Sequence, residues 1–218
     1  MRRTGPTRFD VIVRATCEKT HPFVIPIVTR PQATLHNHQY MSTLLLDAND
    51  IKRSIGRIAH EILEANHGAS ELVVVGVLNR GYPVAKRLAF LMTQIEGETV
   101  PCGKLDITKY RDDDRPKNDE DLSEIPFQVN GKTVILVDEV IYTGRTIRAA
   151  MDGIMHFGRP QCIQLATLID RGHRELPIQP DYLGREIVTE RSDHIVVKIK
   201  EVDGEDGVWL MEKTEAMA

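Results

Sequence analysis

The residues with the most chemistry in this sequence are two adjacent acids and a threonine-rich turn just after them. Asp138 and Glu139 follow the apolar run Val134–Val137, and Tyr142, Thr143, Gly144, Arg145 and Thr146 come after two further apolar positions. Gly144 permits a turn geometry that other residues resist. Beyond it Ile147, Ala150, Met151 and Ile154 recur at helical spacing, so the turn opens a helix. The first amides of a helix have no partner within it, and a phosphate satisfies them. Thr143 and Thr146 add hydroxyl donors. The paired carboxylates are placed to accept hydrogen bonds from neighbouring sugar hydroxyls and to hold magnesium directly or through water. A sugar phosphate is the ligand this order of groups fits. The loop is not of the Walker type, because Gly-x-x-x-x-Gly-Lys is absent.

Such groups need a parallel sheet to bring them to one edge, and the surrounding pattern supplies it. Leu72–Leu78 is short, continuous and β-branched, as a strand buried on both faces is. Asn79, Arg80 and Gly81 form a turn, and Pro83 to about Met92 reads as a helix with proline in its first turn. Strand, turn and helix repeat at Val134–Val137, Tyr142–Arg145 and Thr146–Ile154, and Gln164–Ile169 is another strand. This alternation predicts an α/β domain with right-handed crossovers and ligands at the C-terminal strand edge. Upstream, Asp47 and Asp50 start a helix whose stripe is Ile51, Ile55, Ile58, Ile62 and Leu63, and Asn66, His67 and Gly68 end it. Ile195–Ile199 and Val208–Met211 are strand candidates around a turn at Asp203–Gly207. The polar stretch Thr108–Pro126 is long enough to be a functional or disordered loop.

The chain has 218 residues, enough for one domain with appendages. A net charge of −4 and a pI near 6.1 argue against a globally basic nucleic-acid coat, though not against a local basic patch. Cys17, Cys102 and Cys162 are widely spaced and form no Cys-x-x-Cys pair, so neither a zinc knuckle nor a disulfide framework is expected. These cysteines and the scattered His21, His36 and His38 suggest no metal site. No apolar stretch approaches the roughly 18 residues that span a bilayer. Arg2 and Arg3 precede no apolar segment, so no signal peptide is expected. Residues 1–40 hold Pro6, Pro22, Pro26 and Pro31 without a sustained period. They read as a loosely attached, dispensable extension, with Met41 as a start and residues 41–218 as the domain.

The whole string from Val134 to Thr146 is similar to the signature of type I phosphoribosyltransferases. Three more segments, Leu105–Asp113, Asp170–Pro177 and Glu201–Asp206, resemble the bifunctional family of pyrimidine operon attenuation regulators and uracil phosphoribosyltransferases, over roughly residues 45–212. The resemblance implies a type I phosphoribosyltransferase fold: α/β, a mainly parallel twisted sheet flanked by helices, with a small hood and a flexible loop. It implies a cytoplasmic protein that forms UMP and pyrophosphate from uracil and phosphoribosyl pyrophosphate with Mg2+. It also implies a homo-oligomer that binds leader mRNA of the pyrimidine operon in response to UMP or UTP, and no membrane partner.

On this reading phosphoribosyl pyrophosphate meets Arg80, Gly81, Asp138, Glu139, Tyr142, Thr143, Gly144, Arg145 and Thr146. Arg80, Arg111, Asp138 and Glu139 carry catalysis, and the acidic pair takes the metal, directly or through water or substrate. Asp170, Arg171 and His173 lie at the base and pyrophosphate end, with His173 first a structural hydrogen-bonding residue. Arg57, His60 and Arg159 match RNA-contacting positions. The sequence departs from the family in three places: Leu78 and Asn79 replace a lysine–threonine or threonine–arginine pair before the first Arg-Gly, Glu139 replaces an aspartate, and Gly56 stands where threonine is common. Two alternatives stay open: an RNA-binding uridine-nucleotide sensor with little catalysis, and a phosphoribosyltransferase for another base.

Overall fold

The computed structural model describes residues 40–113 and 120–213. The extension expected before residue 41 lies outside them, except that the first strand, β1 (Tyr40–Leu46), already begins at its last position. Helix α1 (Ala48–Ala65) follows. Its start is fixed by a reciprocal cap: Asp50 N donates to Asp47 Oδ1 at 2.8 Å and Asp47 N to Asp50 Oδ2 at 3.1 Å. Ile51, Ile55, Ile58 and Ile62 are all buried, as their spacing predicts.

The main sheet comprises β2 (Leu72–Val77), β3 (Cys102–Leu105), β4 (Thr133–Ile141), β5 (Cys162–Asp170) and β6 (Tyr182–Glu186), all parallel, in the order β3-β2-β4-β5-β6. Val73, Val75, Val134 and Leu136 face one apolar cluster with α3 (Arg145–Phe157); Val74, Ile135 and Val137 face the other with α1 and α2 (Gly81–Glu96). Burial on both faces explains the continuous apolar runs of β2 and β4.

A second sheet is antiparallel, in the order β1-β8-β7, from β7 (His194–Lys198) and β8 (Gly207–Lys213). The two late strands pair as expected, but the connection is more than a turn: it contains a short helix, α4 (Lys200–Asp203), ended by Gly204. Leu46, Val197, Ile199 and Val208 join the α1–α2 cluster, so the small sheet shares that core. The polar stretch also has structure at its base, a single 3-10 turn at Thr108–Tyr110 and a bridge from Lys104 to Glu124.

Candidate active site

The strand order reverses between β2 and β4, with β3 on one side and β5 on the other. At such a switch point the loops leaving two neighbouring strands diverge and open a crevice. The turn after β2 and the loop after β4 are those loops. Between them lies a cavity of about 450 Å³ lined by Leu78, Asn79, Asp106, Thr108, Arg111 and the pair Asp138 and Glu139, among others. A second cavity of about 250 Å³ adjoins it and is lined by Tyr142, Thr143, Gly144, Arg145 and Thr146. Arg111, Val140 and Thr146 border both.

The acidic pair sits inside β4 rather than beyond it, because pairing with β5 continues through Asp138 opposite Thr167 to Ile141 opposite Asp170. Strand register therefore holds both acids rigidly. Asp138 is buried, and its Oδ1 accepts the amide of Glu139 at 3.0 Å. Burial pushes its carboxyl well above the ordinary carboxylate range, the charge of Glu139 adds to this, and Arg111 opposes it.

Gly144 caps α3 at φ 90°, a left-handed conformation that favours glycine, and offers no side chain to the first-turn amides. Arg145 N reaches Thr143 Oγ1 at 3.4 Å, and the amides of Thr146 and Ile147 are left for an external acceptor. The loop is braced from outside: Thr143 O accepts the amides of Glu175 and Leu176 at 3.0 and 3.1 Å. Arg174, which no spacing rule singled out, donates to Tyr142 O at 2.9 Å, Ile178 O at 2.8 Å and Asp170 Oδ2 at 2.5 Å.

The arginines are already engaged. Arg111 forks onto Asp113 at 2.7–3.1 Å. Arg145 is exposed and paired with Asp112 and Glu175, both at 2.8 Å. Arg80 forks onto Asp203 at 2.7 and 2.9 Å. Leu78 and Asn79 line the cavity without a charge; Leu78 N donates to Leu105 O at 3.0 Å. Asp106, missed in the sequence, staples the base of the polar stretch: it accepts Thr108 N at 2.9 Å and Leu122 N at 3.4 Å, and its own amide donates to Ser123 Oγ at 2.9 Å.

At the far end Arg171 is buried, 4.1 Å from the centre of the Tyr142 ring, and bonds Asp193 O at 2.8 Å. Asp170 is buried as well. His173 bonds Thr189 O at 2.7 Å, the structural use expected of it. The three RNA candidates do not converge. Arg57 and His60 are exposed on α1, whereas Arg159 follows α3 and borders a different depression with Met155 and Cys162. Arg53 and Arg185 are the basic residues that share a depression with Arg57.

Comparison with known proteins gives the class first. The profile of the phosphoribosyl transferase domain matches residues 42–201. Solved structures agree at the level of fold. A hypoxanthine-guanine phosphoribosyltransferase of Bacillus anthracis aligns at TM-score 0.59 and 19% identity, over 78% of this chain and 96% of that one. The hypoxanthine phosphoribosyl transferase of Trypanosoma cruzi aligns at 0.62 and 15%, over 80% and 93%. Sequence relatives give the particular group. The Bifunctional protein PyrR of Pelotomaculum thermopropionicum is 53% identical over 174 residues, 78% of this chain and 96% of that protein. That of Thermus thermophilus is 50% identical over 177 residues, 79% and 97%. The chain belongs to the PyrR family of phosphoribosyltransferases.

Proposed function

We propose that this chain transfers phosphoribose from phosphoribosyl pyrophosphate to uracil, giving UMP and pyrophosphate, and regulates pyrimidine operon expression by uridine-nucleotide-dependent binding to leader mRNA. The observation that carries the transfer reading is the joining of two cavities: one holds the rigid acidic pair, the other the uncapped start of α3. The 5-phosphate belongs on the amides and hydroxyls of Thr143–Thr146. Asp138 and Glu139 belong on the ribose hydroxyls. Leaving pyrophosphate builds negative charge, and the ribose ring carbon becomes cationic. The protein's task is to position, neutralise and exclude water rather than to form a covalent bond. Arg111, bordering both cavities, and Arg80, at the turn after β2, are the neutralising cations. Asp170, Arg171 and Arg174 brace the base end against the phosphate loop through Tyr142.

Magnesium fits this site. Among the described residues no group of three or more His, Cys, Asp or Glu side chains could hold a metal alone. Two mutually repelling carboxylates at the cavity are the donor set of a cation shared with substrate oxygens. Bound there by Asp138 and Glu139, it would neutralise developing pyrophosphate charge.

The arginines' present partners bear on affinity. Asp112 occupies the Arg145 guanidinium that an incoming phosphate needs. Asp112→Asn is expected to lower the KM for phosphoribosyl pyrophosphate about two- to fivefold at low ionic strength, with the gain shrinking in salt. Steady-state kinetics at two salt concentrations check this.

A pyrophosphate-release assay with phosphoribosyl pyrophosphate, Mg2+ and each base in turn tests the main reading. No turnover with uracil at micromolar enzyme would sink it, and turnover only with guanine or hypoxanthine would replace uracil with a purine. One observation favours a second reading, a uridine-nucleotide sensor with little catalysis: Leu78 and Asn79 leave the pyrophosphate turn with Arg80 as its one charged side chain. A gel shift on leader mRNA with and without UMP tests regulation. His60→Ala, on the exposed face of α1, is expected to weaken the shift, and binding should fall steeply with salt. A shift indifferent to UMP counts against regulation. The same reading makes the protein a cytoplasmic homo-oligomer; no helix among the described residues is long and apolar enough to cross a membrane.

A further inference from the structure

Arginine–carboxylate bonds join the small sheet to the pyrophosphate turn. Arg80, the residue before α2, donates Nε to Asp203 Oδ2 at 2.9 Å and Nη2 to Asp203 Oδ1 at 2.7 Å. Two turns along α2, Arg87 donates Nε to Glu201 Oε1 at 2.8 Å and Nη2 to Asp206 Oδ1 at 2.9 Å. All three carboxylates come from α4 and the residues leading into β8. Backbone amides fix two of them: Ile199 N donates to Asp203 Oδ2 and Lys200 N to Asp206 Oδ1, both at 2.8 Å.

A carboxylate that takes a guanidinium fork and a backbone amide together has little freedom, and neither has the arginine. The Asp203 side chain is 16% exposed and that of Arg80 37%, so this is not a loose surface pair. The fork uses Nε and Nη2 and leaves the Nη1 edge of Arg80 for another acceptor. Leu78 and Asn79, which precede Arg80 in the turn, line the site cavity together with Asp138 and Glu139, and the charge of Glu139 adds a little to the upward shift of the Arg80 guanidinium.

We propose that Asp203 is a positioning residue: it aims Arg80, and with it the turn 78–81, at the leaving pyrophosphate, so that the small sheet and the pyrophosphate end of the site are ordered together. The inference rests on the phosphoribosyl-transfer reading above. It makes α4 part of the machinery without contact between Asp203 and substrate. A purely stabilising pair would change melting temperature and leave affinity for pyrophosphate alone.

The test titrates pyrophosphate with Mg2+ calorimetrically into the full chain and its variants, beside uracil kinetics. Asp203→Asn, nearly the same shape without the charge, is expected to weaken pyrophosphate about tenfold. It should raise the KM for phosphoribosyl pyrophosphate by a similar factor and change kcat by less than about threefold. Asp203→Glu should recover part of the loss. Asp203→Asn added to Arg80→Ala should do no further harm, because one interaction is removed twice. Pyrophosphate affinity within twofold of the unaltered chain in Asp203→Asn, or effects that multiply in the double variant, overturns the proposal. If Asp203→Asn does not fold, Arg80→Lys decides: it keeps the charge and loses the fork, and unchanged affinity there overturns the proposal equally. An unaltered chain that binds pyrophosphate but turns over no base sinks the transfer reading and leaves the role of Asp203 standing. One that binds no pyrophosphate sinks both.

Discussion

Asp138→Asn is expected to give a more stable protein with kcat/KM for phosphoribosyl pyrophosphate lowered by at least about a hundredfold. Both effects come from one carboxylate. The asparagine side chain keeps an oxygen for the hydrogen bond from the Glu139 amide, made at 3.0 Å to Asp138, so the strand is undisturbed. It loses the charge that ribose hydroxyls and magnesium require. That charge is a burden on the ligand-free fold, since burial and Glu139 both hold the Asp138 carboxyl above its ordinary range. The folded chain therefore keeps this proton to higher pH than the unfolded chain. As pH rises from the unfolded value towards the folded one, ionisation works increasingly against the fold. Asparagine removes that penalty. The melting temperature of Asp138→Asn should match the unaltered chain near pH 4 and exceed it by about 2–6 °C at pH 8 without ligand. Calorimetric scans at both pH values, with turnover beside them, check the pair of effects. A variant less stable at pH 8, or one with unchanged kcat/KM, shows that Asp138 is not the strained acid of the site.

Gly81→Ala is expected to damage stability and turnover together. A Cβ at Gly81 would lie 2.7 Å from Val137 O, 3.1 Å from Asp138 Cα and 3.3 Å from Asp138 Oδ1. Two of these atoms are backbone of the central strand and do not yield, so the start of α2 must move away. Overpacking of this kind costs about 1–3 kcal/mol. The displaced turn carries Asn79 and Arg80, and a misplacement of about 1 Å can cost a hundredfold in rate. The expected signature is a lowered melting temperature with kcat/KM down about a hundredfold. Full activity in Gly81→Ala would mean that the turn does not need this close approach to β4.

Elements with a single strong period were legible in the sequence. The stripe Ile51, Ile55, Ile58 and Ile62 and the cap at Asp47 marked α1, and the continuous runs marked β2 and β4. β1 was missed because Leu44–Leu46 shows no alternation and its partner β8 lies at the other end of the chain. β3 and β6 are edge strands with sequences such as Cys-Gly-Lys-Leu, half polar because one side is open. The phosphate loop was readable because its groups are adjacent in sequence. Asp106, Arg174 and Asp203 were not, because beside any near partners each has a bond that reaches across the chain: Arg174 to Tyr142 O spans 32 residues, Asp106 to Leu122 N 16, and the fork between Arg80 and Asp203 123. Spacing carries no trace of such pairs. The apolar run predicts a strand that ends at Val137 with the acids just past it, whereas β4 runs on to Ile141. The tolerance of β4 for two acids at its end comes from the cavity beside them, which local pattern does not reveal.

Arg57, nominated for RNA, is also committed elsewhere. Its Nη2 donates to Leu183 O at 3.0 Å and Gly184 O at 2.6 Å, on β6, the last strand of the main sheet. Unpaired carbonyls on an outer strand are a template on which a second chain can add its own strand. Successive carbonyls of a strand point to opposite edges, so the guanidinium can cover the open-edge template at one of these two residues. Strand addition along β6 is thereby disfavoured at that position. Loss of Arg57 would then show first as concentration-dependent aggregation, before any change in what the protein binds.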